Sequence, residues 1–149
     1  MRDRRRSQRL LALVEIRELQ RLRAEISAQN ASGALAARKA ALSAAEELEL
    51  DALRAWTDAA TASDFVPELS ALWSRELRVR DEAVRGASFE TELARQELDS
   101  RTLALNAATL QRDAVALRAR RARKDEIRKE DDVESQDVLD LHLAKGRNR

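Results

Sequence analysis

The chain has no cysteine and no tyrosine, and in 149 residues it has one proline, three glycines, one histidine, two tryptophans and two phenylalanines. Each shortage excludes something. Without cysteine there is no disulfide, no thiol nucleophile and no thiolate metal site, and the absence fits a reducing compartment. A lone His142, between Leu141 and Leu143, completes neither a two-histidine site nor a Ser-His-Asp set. Gly33, Gly86 and Gly146 lie too far apart to form a phosphate-cradling loop. Aromatics make up 3% of the chain, too little for an ordinary globular core, so burial has to come from leucine and alanine along a narrow seam. Long apolar runs are missing too. The basic start, Arg2 to Arg6, is followed by an apolar stretch from Leu10 to Val14 that Glu15 interrupts. That stretch is too short for a secretory core or a membrane span. The expected protein is soluble and cytoplasmic, at most peripheral to the inner face of the cell membrane.

Charge is plentiful. Charged residues are 37% of the chain, and alanine, leucine, arginine and glutamate dominate, a composition that signals long helices or a coiled coil. Abundant Leu and Ala, with 28 basic and 27 acidic residues, argue against a disordered polyelectrolyte. Carboxylate pairs such as Glu46-Glu47 and Asp131-Asp132 would face water on helices, where nothing raises a pKa for acid–base work. No enzymatic activity, metal or cofactor is expected.

Helical periodicity runs along both halves. Leu13, Ile16, Leu19, Leu22 and Ile26 recur at three- and four-residue steps, as one helical face requires. Asn30-Ala31-Ser32-Gly33 marks a weak point where a kink or fray is expected. Beyond it, Ala41, Ala45, Leu48, Ala52, Ala55, Ala59 and Ala62 form a heptad seam of mostly small residues, which lets two helix axes approach closely. In the second half the cleanest heptad is Phe89, Leu93, Gln96, Ser100, Leu103, Ala107, Leu110, Ala114 and Leu117, with Gln96 and Ser100 as polar positions that could fix register.

Between the halves lies one interruption, residues 61–68, with the only proline. Ser63 or Asp64 can cap a following helix, Pro67 suits its first turn and Glu68 complements its dipole. The expected fold is all-α: a long two-helix antiparallel coiled-coil hairpin with its termini together. Its parts are a helix over about 7–60, a turn over 61–67, a helix over about 68–130 and a short helical or frayed tail over 131–149. The alternative is one kinked helix, which would need a second chain to cover its seam. Trp56, Phe65 and Trp73 flank the turn, either closing the hairpin end or offering a contact site there.

A net charge of +1 hides a polar distribution. Residues 1–24 and residues 112–129 each carry +5, leaving −9 for the remainder. A fold about residue 65 sets residue i opposite residue 130 − i. Both basic clusters then fall at one end, and the turn end and middle are acidic. Such an end suits an acidic partner surface. Neither cluster holds an aromatic to stack on bases, so a nucleic-acid partner is not expected.

The C-terminal segment carries a further pattern: the basic run Arg118-Ala119-Arg120-Arg121-Ala122-Arg123-Lys124, an acidic-rich stretch from Asp125 to Glu134, then Val138-Leu139-Asp140-Leu141 and the basic Lys145. With the all-helical hairpin, this resembles the flagellar export protein family FliJ and its injectisome counterparts, the YscO-like group. The pattern departs from theirs at Leu141, where an acidic residue is more usual. The resemblance implies a non-enzymatic stalk whose paired ends enter the export ATPase hexamer, which contacts the export gate's cytoplasmic domain and exchanges export chaperones. Mapped here, it implies an ATPase-facing set of Arg4, Arg5, Arg6, Arg9, Arg120, Arg121 and Arg123. It leaves Asp64, Phe65, Leu69 and Trp73 for the gate. The rival is a coiled-coil adaptor with no ATPase partner.

Overall fold

A computed structural model of the chain describes the backbone of residues 2–147 and the side chains of residues 5–143 and 145. Two helices account for it, α1 over Arg2–Thr61 and α2 over Pro67–Arg147. They pack closely against each other as an all-α hairpin. Pro67 opens α2, where its missing N–H costs nothing. Val66 occupies the capping position, its carbonyl accepting the Ser70 N–H at 3.1 Å. Ser63 and Asp64, expected as caps, lie upstream in the turn.

The weak point at Gly33 does not break α1, which is helical throughout, and no described residue has a left-handed backbone. The tail expected after residue 130 is part of α2. No proline or glycine intervenes before Gly146, the segment is rich in helix formers, and the Ser135 hydroxyl donates to the Asp131 carbonyl within the helix at 2.8 Å. Every described side chain from 127 to 145 is exposed, so this stretch has no buried seam.

Packing divides the chain into two compact units, one of Met1–Ala24 with Leu105–Arg149 and the other of Glu25–Ala104. The second unit contains the turn. On its α1 segment the seam runs through Ala28, Ala31, Leu35, Leu42, Ala45, Glu49, Ala52, Ala55 and Ala59, all buried or half-buried and spaced in steps of three, four or seven. On α2 the matching set is Leu77, Val84, Ala87, Thr91, Ala94 and Leu98. Thr91 shows how close the backbones come: its hydroxyl oxygen lies 2.7 Å from the Ala87 carbonyl of its own helix and 3.3 Å from the Arg38 carbonyl of α1. A side chain that short reaches across only where small residues line the contact. In the first unit, Ser7, Val115 and Ala119 are buried, with Leu10, Val14, Leu105, Ala108 and Ala122 half-buried.

These seams correct three sequence expectations. Leu13, Ile16, Leu19, Leu22 and Ile26 are exposed; of the expected small-residue seam, Ala45, Ala52, Ala55 and Ala59 do turn inward, but Ala41, Leu48 and Ala62 are exposed and Leu42 and Glu49 turn inward. The heptad from Phe89 to Leu117 lies on the outer face of α2. Periodicity finds an apolar face; it does not say which of two apolar faces packs. Close approach of the axes favours the face lined by alanine, where backbone and Cβ atoms meet without large side chains between them.

Register is set by polar groups at the seam edges. In the first unit Arg17 Nη1 donates to Gln111 Oε1 at 2.8 Å, and Arg112 Nη1 lies 3.3 Å from Glu18 Oε2. In the second, Arg38 pairs with Glu90. A fold about residue 65 sets residue 112 opposite Glu18, which is where its partner Arg112 stands. Gln96 and Ser100, expected to fix register, are exposed and take no part in these pairs.

Candidate functional site

The two basic clusters meet in the first unit. Arg5, Arg6, Arg9, Leu10 and Leu13 of α1 face Arg118, Arg121, Ala122, Asp125, Glu126 and Lys129 of α2 across an open groove of about 790 Å³. Six cations and two carboxylates line it, so its field is positive, while Leu10 and Leu13 add an apolar surface. Helical spacing explains the set: Arg118, Arg121, Asp125 and Lys129 recur at steps of three and four and share one face of α2.

The expected ATPase-facing residues divide. Arg5, Arg6, Arg9 and Arg121 share this groove. Arg123 lines a separate groove of about 370 Å³ with Ser7, Gln8, Leu11 and Glu130. Arg120 is exposed and lines neither, because it lies on another face of α2 from Arg121. The Arg4 side chain lies outside the described residues. Arg118 and Lys129 were missing from the expected set, although their spacing from Arg121 and Asp125 was the signal that could have found them.

Next along this unit is a polar belt the sequence reading missed. Glu18 accepts from Arg21 Nη2 at 2.9 Å and lies beside Arg112. The hydrogen bond from Arg21 holds the Glu18 carboxyl below the ordinary glutamate range; desolvation opposes this, and the charges of Arg21 and Arg112 reinforce it. A depressed folded-state pKa contributes stability that is present above the unfolded-state value and lost as pH falls through the folded one. Glu18→Gln should therefore lower the urea midpoint at neutral pH. The deficit should shrink as pH falls below the ordinary glutamate range. The Glu18 side chain is 36% exposed, so the effect stays small. A deficit that grew in acid would contradict this account.

The turn end belongs to the second unit. Phe65 is 54% exposed, Val66, Leu69 and Leu72 are exposed, Asp64 is exposed, and Trp73 is half-buried. The aromatics therefore do not close into a dry cap, since Phe65 faces solvent. Further from the turn, Leu50, Leu53 and Leu77 line an open groove of about 720 Å³, rimmed by Glu46, Glu49, Asp81 and Arg78. None of these residues was among the expected gate contacts.

Among the described residues no cluster of three His, Cys, Asp or Glu side chains could hold a metal ion, and no helix is long and apolar enough to cross a membrane. No family model, curated protein or solved structure matches the chain.

Proposed function

We propose that this chain is a non-enzymatic coiled-coil stalk of a flagellar or related type III export apparatus, which couples the export ATPase ring to the export gate and escorts export chaperones. The observation that carries the reading is the groove in which Arg5, Arg6 and Arg9 oppose Arg118, Arg121 and Lys129. Cations from two segments far apart in sequence concentrate there beside the exposed Leu13, a combination that steers and anchors an acidic partner surface. Under this reading the groove contacts the ATPase, and Asp64, Phe65, Leu69 and Trp73 contact the gate's cytoplasmic domain. The protein works in the cytoplasm, against the inner face of the membrane.

Purified export ATPase tests it. The chain should bind the ATPase and raise its hydrolysis rate. Arg9→Glu with Arg121→Glu should weaken binding about tenfold or more. A pull-down unchanged by the double reversal would overturn the assignment of the groove. No binding by the parent chain would leave the adaptor reading instead.

A further inference from the structure

The open groove of about 720 Å³ between Leu50, Leu53 and Leu77 lies wholly within the second unit, and the export reading gives it no part. Helical spacing builds both walls. Glu46, Glu49, Leu50 and Leu53 share one face of α1, and Leu77, Arg78 and Asp81 share one face of α2. Leu50 is 46% exposed and Leu53 42%, and Leu77 is half-buried. A single surface leucine needs no explanation, but three that converge on one hollow do.

Glu49 is the more unusual lining residue. It stands on the α1 seam between Ala45 and Ala52, and it is half-buried there. A carboxylate withdrawn from water is costly unless a cation or donor meets it. Among the described residues neither Glu49 nor Glu46 has a hydrogen-bond or ion-pair partner. Their neighbours are already taken: Asp51 lies 3.6 Å from Arg54, and Asp81 lies 2.9 Å from Arg85. We propose that this groove docks an amphipathic helix of a protein partner. The apolar face of that helix sits on Leu50, Leu53 and Leu77, and its lysine or arginine side chains reach Glu46 and Glu49.

The walls select this occupant. Two unpaired carboxylates on the α1 side call for cations, and the apolar stems of lysine and arginine can lie along leucine while their heads meet a carboxylate. Arg78, on the α2 side, calls for a carboxylate or amide on the other flank of the same helix. Both walls are helical, so no strand edge is offered to an extended peptide, whereas a helix satisfies its own backbone. Glu46 and Leu53 stand about 10 Å apart along α1, which roughly two or three turns of a partner helix would cover. A second copy related by a two-fold axis would set hollow against hollow and carboxylate against carboxylate. This docking does not rest on the export reading, and neither the ATPase nor the gate enters its test.

Fluorescence anisotropy with two synthetic peptides tests it. Both are helix-forming and carry leucines at steps of three and four. One has lysines along one side of that stripe, and the other has glutamates in their place. The full chain should bind the lysine peptide about tenfold or more tighter than the glutamate peptide. Leu50→Gln with Leu53→Gln should weaken that binding about tenfold, with the far-ultraviolet helical signal unchanged because both side chains are exposed. Glu46→Lys with Glu49→Lys should reverse the preference between the peptides, which a damaged hairpin would not do. Glu47→Lys, at an exposed site outside the groove, should leave binding within about twofold. Failure to bind the lysine peptide overturns the proposal. So does binding that ignores the leucine replacements or responds equally to Glu47→Lys, since that is adsorption to an acidic surface. Self-association of the parent chain that Leu50→Gln with Leu53→Gln abolishes would give the groove to a second copy and overturn it as well.

Discussion

Ala52→Leu should lower the unfolding free energy by about 1–3 kcal/mol, the usual cost of forcing extra methylenes into a packed contact. Ala52 is 4% exposed, on the seam face of α1. Leu48, one turn earlier, is 48% exposed and stands off that seam. Leu48→Ala should stay within about 0.5 kcal/mol of the parent, as surface changes usually do. The two substitutions reverse ordinary intuition, in which adding a leucine to a helical bundle helps and removing one hurts. Urea unfolding followed by circular dichroism separates them. Equal effects, or a larger loss for Leu48→Ala, would mean that the leucine-bearing face is the packed one.

Gly33→Ala with Gly86→Ala should raise stability by about 2 kcal/mol, because glycine costs about 1 kcal/mol against alanine in a helix interior. Both glycines sit in continuous helix with no left-handed backbone, and a Cβ at either would meet nothing within 4 Å. Neither a close approach nor a turn holds glycine there, so the substitution reduces unfolded-chain freedom without adding a clash. An unchanged or lower urea midpoint would show that one of these positions bends in solution.

Much of the hairpin was legible in residue order. One proline-bearing interruption between long periodic stretches predicted two helices, and charge counting about residue 65 brought Arg5, Arg6 and Arg9 to Arg121. Length gives that approximate pairing, since residues equidistant from a turn end up opposite each other. The faces were harder to read. Leu13–Ile26 and Phe89–Leu117 were read as seams, yet they are exposed, and Ala28 and Ala31 on α1 and Thr91 on α2 are buried instead; only the small-residue seam through Ala52 and Ala59 was read correctly. The groove residues Arg118 and Lys129 were missed for a related reason: membership in a groove depends on the angle a residue takes around its helix, not on membership in a basic run.

The sequence by itself determined that this chain is helical, that its helices are interrupted near Pro67, and that its two basic clusters meet if the chain reverses there; the structure supplied the reversal. Propensity, chain length and formal charge are local or additive properties, and they suffice for those conclusions. Only the tertiary structure decided which apolar face of each helix turns inward, where the polar pairs set register, and which arginines share a groove. Those outcomes depend on how closely two backbones approach, and that distance is set jointly by side chains far apart in the chain. It is also why the Phe89–Leu117 heptad, read from sequence as the hairpin's own seam, stands on the outside of it.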